Sequence, residues 1–158
     1  MDAPRWQPGY LDRWLKRRAL ANQSRHFSQV FVIASGDYSV AAHYALSMGA
    51  VTRLVAPTAL RRNAPDPLPA LVIGRMAVDS RHQGHGLARV LLRDALARCI
   101  RASRDLAFAL VLATPVDARA REFWAHWQFR PLPGDPATVY LADPRAVRRR
   151  DAGAAAAA

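Results

Sequence analysis

The sequence contains one cysteine, Cys99, and one lysine, Lys16, among 23 basic residues. A lone thiol excludes an internal disulfide, and its place inside an apolar helical pattern reads as a small buried hydrophobe rather than a nucleophile. Long apolar runs are missing too: no stretch approaches the ~20 residues of a membrane span, and Met1-Asp-Ala-Pro-Arg-Trp6 lacks the apolar core of a signal peptide. These absences predict a cytoplasmic protein with no membrane partner. A length of 158 residues excludes two catalytic domains, whereas 51% hydrophobic content suffices for one core. Acidic residues are scarce, 12 against 23 basic, for a net charge of +11. Arginine forks bind phosphate bidentately and stack on bases, so this surplus points to RNA. An Arg- and Ala-rich composition also follows from GC-rich coding, and charge alone leaves the partner open.

What is present is one organising stretch, residues 70–98. Leu71-Val-Ile-Gly-Arg-Met-Ala-Val78 is short, partly β-branched and bounded by Pro69 and Asp79, which predicts a buried strand. Gly84 and Gly86 follow. From Leu87, apolar residues recur at Val90, Leu91, Ala95, Leu96 and Ile100, with Arg89, Arg93 and Arg98 between them, predicting a helix with one core face. A glycine turn at a helix N-terminus aims unpaired N–H groups and the positive end of the helix dipole at one spot, and the natural ligand there is a phosphate. The spacing is neither the G-x-x-x-x-G-K-S/T nucleotide loop nor a G-x-G-x-x-G dinucleotide fingerprint, because Leu87, Ala88 and Arg89 follow Gly86. A plain turn joining strand to helix is the alternative.

Elsewhere, residues 9–23 place Tyr10, Leu11, Trp14, Leu15, Ala19 and Leu20 at helical spacing, interleaved with Arg13, Lys16, Arg17 and Arg18. This predicts a basic first helix whose polar face is either merely solvated or a nucleic-acid surface. Residues 29–35 and 38–51 read as two strands joined by a tight turn at Gly36-Asp37. Residues 52–69, with four prolines and three arginines, read as a mobile loop. Residues 106–113 read as a buried strand, 116–127 as a helix, and 128–133 and 138–142 as short strands.

Arg81-His-Gln-Gly84-His-Gly86 resembles the acetyl-CoA loop Q/R-x-x-G-x-G/A of the GNAT superfamily of N-acetyltransferases, and it stands between the strand Gly74-Arg-Met-Ala-Val-Asp79 and a long helix. The element order resembles that fold from about Trp6 to Leu141. The resemblance implies an α/β architecture with a mixed, mostly antiparallel central sheet flanked by helices and an N-terminal strand that is short or absent. One domain over 6–142 and a disordered basic, Ala-rich tail over 143–158 complete the expectation. One branch is most similar, the GNAT toxins of type II toxin–antitoxin modules. The similar segments are Tyr10-Leu-Asp-Arg-Trp-Leu-Lys-Arg-Arg-Ala-Leu-Ala-Asn-Gln23, Tyr44-Ala-Leu-Ser-Met-Gly-Ala-Val51, 68–79 and 123–133.

That branch acetylates the α-amine of the amino acid on charged tRNA and so blocks translation. The resemblance therefore implies acetyl-CoA as co-substrate, aminoacyl-tRNA as partner, a cognate antitoxin and a homodimer. Acetyl transfer from a thioester to an amine needs a neutral amine, a polarised carbonyl and a proton for the departing thiolate. By the resemblance, backbone amides at Met76, Ala77 and Val78 hold the pantetheine arm and thioester oxygen. Arg81, Gln83, Gly84, His85, Gly86, Leu87 and Ala88 meet the pyrophosphate. His82 and His85 flank the loop as further donors or as solvated side chains. In the family segment F-Y-x-x-x-G-F the tyrosine is the general acid; here Phe123-Trp124-Ala-His-Trp-Gln-Phe129 puts Trp124 in that place. An indole N–H donates a hydrogen bond but gives up no proton near neutral pH. His126, two residues on, points elsewhere, and Tyr38, Tyr44 and Tyr140 cannot be placed from sequence. A GNAT enzyme for a small-molecule or protein amine, and a catalytically impaired relative that keeps CoA or partner binding, stay open beside the toxin reading.

Overall fold

The computed structural model describes residues 10–36 and 39–147. Its elements run α1 (Tyr10–Ser24), β1 (Gln29–Ala34), β2 (Val40–Val51), α2 (Thr58–Arg61), β3 (Leu68–Val78), a 3-10 turn (Ser80–His82), α3 (Leu87–Ala102), β4 (Leu110–Ala113), α4 (Ala118–His126), β5 (Arg130–Leu132) and β6 (Asp135–Leu141). The strands form one six-stranded sheet in the order β1-β2-β3-β4-β6-β5. It is the expected mixed, mostly antiparallel sheet flanked by helices. The residues before Tyr10, where the N-terminal strand is expected to be short or absent, and the turn residues Asp37 and Tyr38 fall outside the described residues. The chain groups into two compact units, Met1–Met48 with Val72–Ala95, and Gly49–Leu71 with Leu96–Ala158.

In the first unit, β1 and β2 pair antiparallel from Gln29↔Leu46 to Ile33↔Ala42, with the register slipping before Ala34↔Val40. The end of β3 joins the start of β2 through the Asp79 N–H donating to the Ala41 carbonyl at 2.9 Å, so these strands also run antiparallel. Residues 41–45 of β2 are all buried. One face of the strand meets α1, where Trp14 and Ala19 pack with Ala45; from the other, the Tyr44 hydroxyl donates to the Asp94 carboxylate on α3. The inward row of α1 differs from the expected one, for Leu20 is 83% exposed. Six residues beyond Trp14, it lies about 240° round the helix. Termination of α1 is a Schellman cap: the Phe27 N–H reaches the Asn22 carbonyl at 2.9 Å and the His26 N–H reaches Gln23 at 3.0 Å, with His26 left-handed at φ 57°. Helix α3 buries Leu91, Leu92 and Ala95 in this unit, and Leu96 and Cys99 in the part that belongs to the second, while Val90 is exposed.

In the second unit, β6 pairs antiparallel with both β4 (Val111↔Leu141) and β5 (Arg130↔Tyr140). All four residues of β4 are buried. That strand is shorter than expected: residues 103–106 finish α3 as turns, with the Leu106 N–H bonded to the Ala102 carbonyl, and Leu106 is 57% exposed. Residues 52–67 hold the short α2 and are cross-tied by Arg53 N–H to the Asp66 carboxylate at 3.0 Å and Arg61 Nε to the Ala56 carbonyl at 2.7 Å. Gly134 approaches this segment so closely that a Cβ would lie 2.5 Å from Val55 Cγ1. Residues 144–147 form a helical turn that begins with the Asp143 carboxylate accepting from the Arg145 N–H and ends with buried Val147. The rest of the expected disordered tail, 148–158, lies outside the described residues.

Candidate functional site

Strand β3 changes character along its length. Leu68, Ala70, Leu71 and Ile73 are buried, but Gly74–Val78 are all half-buried. This inner strand thus stays partly exposed over its last five residues, next to the loop that follows. The change coincides with Arg75, left-handed at φ 59°, a conformation that costs a non-glycine residue ~1–2 kcal/mol. A left-handed residue inside a strand breaks the pleat and re-aims its side chain. The Arg75 guanidinium stands over the Trp14 ring, 5.5 Å from its centroid, and Trp14 stacks on His43 with centroids 6.3 Å apart and planes 14° from parallel. Buried His43 has no partner for Nε2, and desolvation lowers its pKa to about 4, against a smaller opposing influence from Asp12.

Beyond β3 the loop is built by Asp79. Its carboxylate caps the 3-10 turn by accepting from the Arg81 N–H at 2.8 Å and takes the Arg81 guanidinium in a fork, 3.1 Å from Nε and 3.1 Å from Nη2. These bonds, side chain first, hold the Asp79 carboxyl at about 2. The Gln83 amide reaches back to the Val78 carbonyl at 3.2 Å, and His85 Nδ1 lies 3.3 Å from the His82 carbonyl. Gly84 and Gly86 are left-handed at φ 80° and 76°, which only glycine adopts without strain. A Cβ on either would meet nothing within 4 Å, so the loop is open where it turns. Gly86 supplies the first carbonyl of α3, to the Val90 N–H at 3.2 Å, and being glycine it offers no side-chain oxygen to the first-turn N–H groups. Leu87 and Ala88 form that turn. Ten sequence-identified residues, Met76, Ala77, Val78, Arg81, Gln83, Gly84, His85, Gly86, Leu87 and Ala88, are thus brought into one strand–loop–helix of the first unit. The Arg81 and Gln83 side chains also brace the loop itself. Asp79 was missed, although an Asp two residues before an Arg is a legible turn signal; Arg75 and His43 were missed because no sequence signal marks a left-handed arginine or an orphaned imidazole.

Trp124 lies in the second unit on α4, whose N-terminus Asp117 caps through the Ala120 N–H at 2.7 Å. It is 5% exposed and packed edge-on against Phe123 and Phe129, with centroids 5.5 and 4.8 Å away. The helix ends in a second Schellman cap, Phe129 N–H to the Trp124 carbonyl at 3.0 Å and Gln128 N–H to Ala125 at 2.9 Å, with Gln128 left-handed at φ 68°. Tyr44 is committed to Asp94, and burial pushes the Cys99 thiol up to about 12, which makes it inert. No cluster among the described residues could hold a metal.

A model of the acetyltransferase (GNAT) family matches residues 2–129. The chain belongs to the GNAT acetyltransferase family. As a GNAT protein it is 40% identical, over 131 residues, to a tRNA-acetylating toxin of Mycobacterium tuberculosis (strain ATCC 25618 / H37Rv), covering 83% of this chain and 78% of the relative. Its fold is similar to that of AtaT complexed with acetyl-methionyl-tRNAfMet, at TM-score 0.78 and 18% identity over 86% of this chain and 83% of the other. A mutant AtaT toxin bound to the C-terminus of the antitoxin AtaR and acetyl-CoA matches at TM-score 0.71 and 17% identity, covering 88% and 81%. The loop and the half-open end of β3 both lie within the stretch that the family model matches.

Proposed function

We infer that this chain is a toxin that acetylates the α-amine of aminoacyl-tRNA with acetyl-CoA and thereby blocks translation. The observation that carries the substrate is the 40% identity, over most of both chains, with a tRNA-acetylating toxin. The exposed Arg13, Lys16, Arg17 and Arg18 of α1 support it as a phosphate-binding face. The cofactor reading rests on geometry: the open turn at Gly84 and Gly86 and the first-turn N–H groups of α3 suit a pyrophosphate. In this reading Gly84, His85, Gly86, Leu87 and Ala88 hold the pyrophosphate through their backbone, and Arg81 and Gln83 keep the loop in shape. Met76–Val78 orient the thioester. Acetyl-CoA supplies the activated acetyl group.

Trp124, at the place of the family's tyrosine, donates at most a hydrogen bond, and its packing against Phe123 and Phe129 suits a core role as well. This one observation favours a second reading, a relative with impaired transfer that retains cofactor and partner binding. The reading also includes one acetyltransferase domain over 6–142, a homodimer in the cytoplasm and a cognate antitoxin. No helix among the described residues is long and apolar enough to cross a membrane. Incubation with charged tRNA and labelled acetyl-CoA tests the assignment. Label recovered on the amino acid after ester hydrolysis supports it; label only on free amines or protein overturns it.

A further inference from the structure

We propose that Arg75 is the specificity residue that receives a phosphate at the aminoacyl end of the acceptor RNA. The inference rests on the tRNA reading above and deepens it. Arg75 directly precedes Met76, so its side chain starts one residue from the amides assigned to the thioester. Its left-handed backbone at φ 59° takes the side chain out of the strand's alternation. Strained residues persist where the surrounding structure over-determines them, and they gather at ligand clamps.

The over-determination is visible. His43 stacks on Trp14, and Trp14 carries the guanidinium on its ring, so imidazole, indole and cation form one braced set. His43 is neutral near pH 7 and so adds no like charge beside the guanidinium. Arg17 and Arg18 follow Trp14 on α1 by three and four residues, one turn away, and both are exposed. A phosphodiester chain crossing α1 would thus meet a row of guanidiniums whose inner member is Arg75, beside the reacting end of β3. A small amine has no use for that row, whereas a nucleic-acid carrier of the amine does.

The test uses the full chain, uncharged tRNA and fluorescence anisotropy across a salt series, with Arg75→Asn and Arg75→Lys as variants. Asparagine tolerates the left-handed conformation better than arginine, so loss of charge is separated from loss of fold. Arg75→Asn is expected to weaken tRNA binding about tenfold at low salt and to reduce the slope of log K against log salt by ~0.7, one phosphate contact on a single strand. Arg75→Lys should keep the slope. Calorimetric affinity for acetyl-CoA should stay at the wild-type value in both. An unchanged slope in Arg75→Asn, or an equal loss of acetyl-CoA affinity, overturns the proposal. A wild type that binds no tRNA overturns it together with the tRNA reading; one that binds tRNA but transfers no acetyl overturns the functional reading alone, and Arg75 is then judged on the slope.

Discussion

Replacing Gly86 separates the two things that glycine does. Its φ of 76° makes any L side chain strained by ~1–2 kcal/mol, and a glycine removed also lowers the entropy of the unfolded chain by ~0.4–1 kcal/mol in the variant's favour. Gly86→Ala should therefore destabilise the fold by only about 1 kcal/mol, since its Cβ meets nothing within 4 Å. Gly86→Glu should cost the fold about the same, because the carboxylate extends into open space. The ligand separates the pair. A carboxylate about 5 Å from a phosphate charge at an effective dielectric of about 20 is opposed by roughly 3 kcal/mol, and screening at an exposed loop leaves about half of it. Acetyl-CoA affinity by calorimetry should thus fall about tenfold further in Gly86→Glu than in Gly86→Ala, while urea unfolding finds them alike. Equal affinities in the two variants would refute the placing of the pyrophosphate at this turn.

Gln128→Gly should stabilise the protein by about 0.5–1 kcal/mol, the left-handed penalty less the unfolded-state entropy, raising Tm by about 1–4 °C; a lowered Tm would mean that the α4 cap is misread. His43 binds its proton less well folded (about 4) than at the ordinary histidine value of 6.5, so the unfolded state takes up protons first and stability falls as pH drops below 6.5. Between pH 6.5 and 5 the loss should be about 2 kcal/mol by urea unfolding, and His43→Phe should remove that part of the slope. Trp124→Tyr, compared with wild type at equal folded fraction, should raise acetyl transfer to aminoacyl-tRNA by up to ~10²-fold, the low end for a positioned acid. A fast wild type that tyrosine does not improve would assign Trp124 to packing alone.

The glycine loop and α3 were legible because their signals are local: two glycines before a helical apolar period. The period itself was misphased by one position, with Val90 placed inside and Leu92 omitted, since Val, Leu and Leu in succession at 90–92 offer no local reason to prefer one. Residues 106–109 read as strand because alternating Leu, Ala and Phe resemble β4, whereas the bond from Leu106 to Ala102 lets α3 run down in turns there. The family's glycine before the last phenylalanine of F-Y-x-x-x-G-F gains its reason from the structure, as the left-handed residue of the α4 cap. Arg75 was beyond reach: nothing in Gly74-Arg-Met announces a left-handed backbone at φ 59°.

The bracing of residues 79–83 bears on the order of events. Asp79, Arg81, Gln83 and the Val78 carbonyl hold the turn through bonds within the chain, so the cradle stands assembled before any phosphate arrives. A preassembled cradle spends no association free energy on ordering itself, and its occupancy simply follows the concentration of the small donor. Under the proposed function, acetyl-CoA would bind without a folding step at the loop, and the order in which donor and RNA arrive would follow their concentrations rather than any closure of the loop.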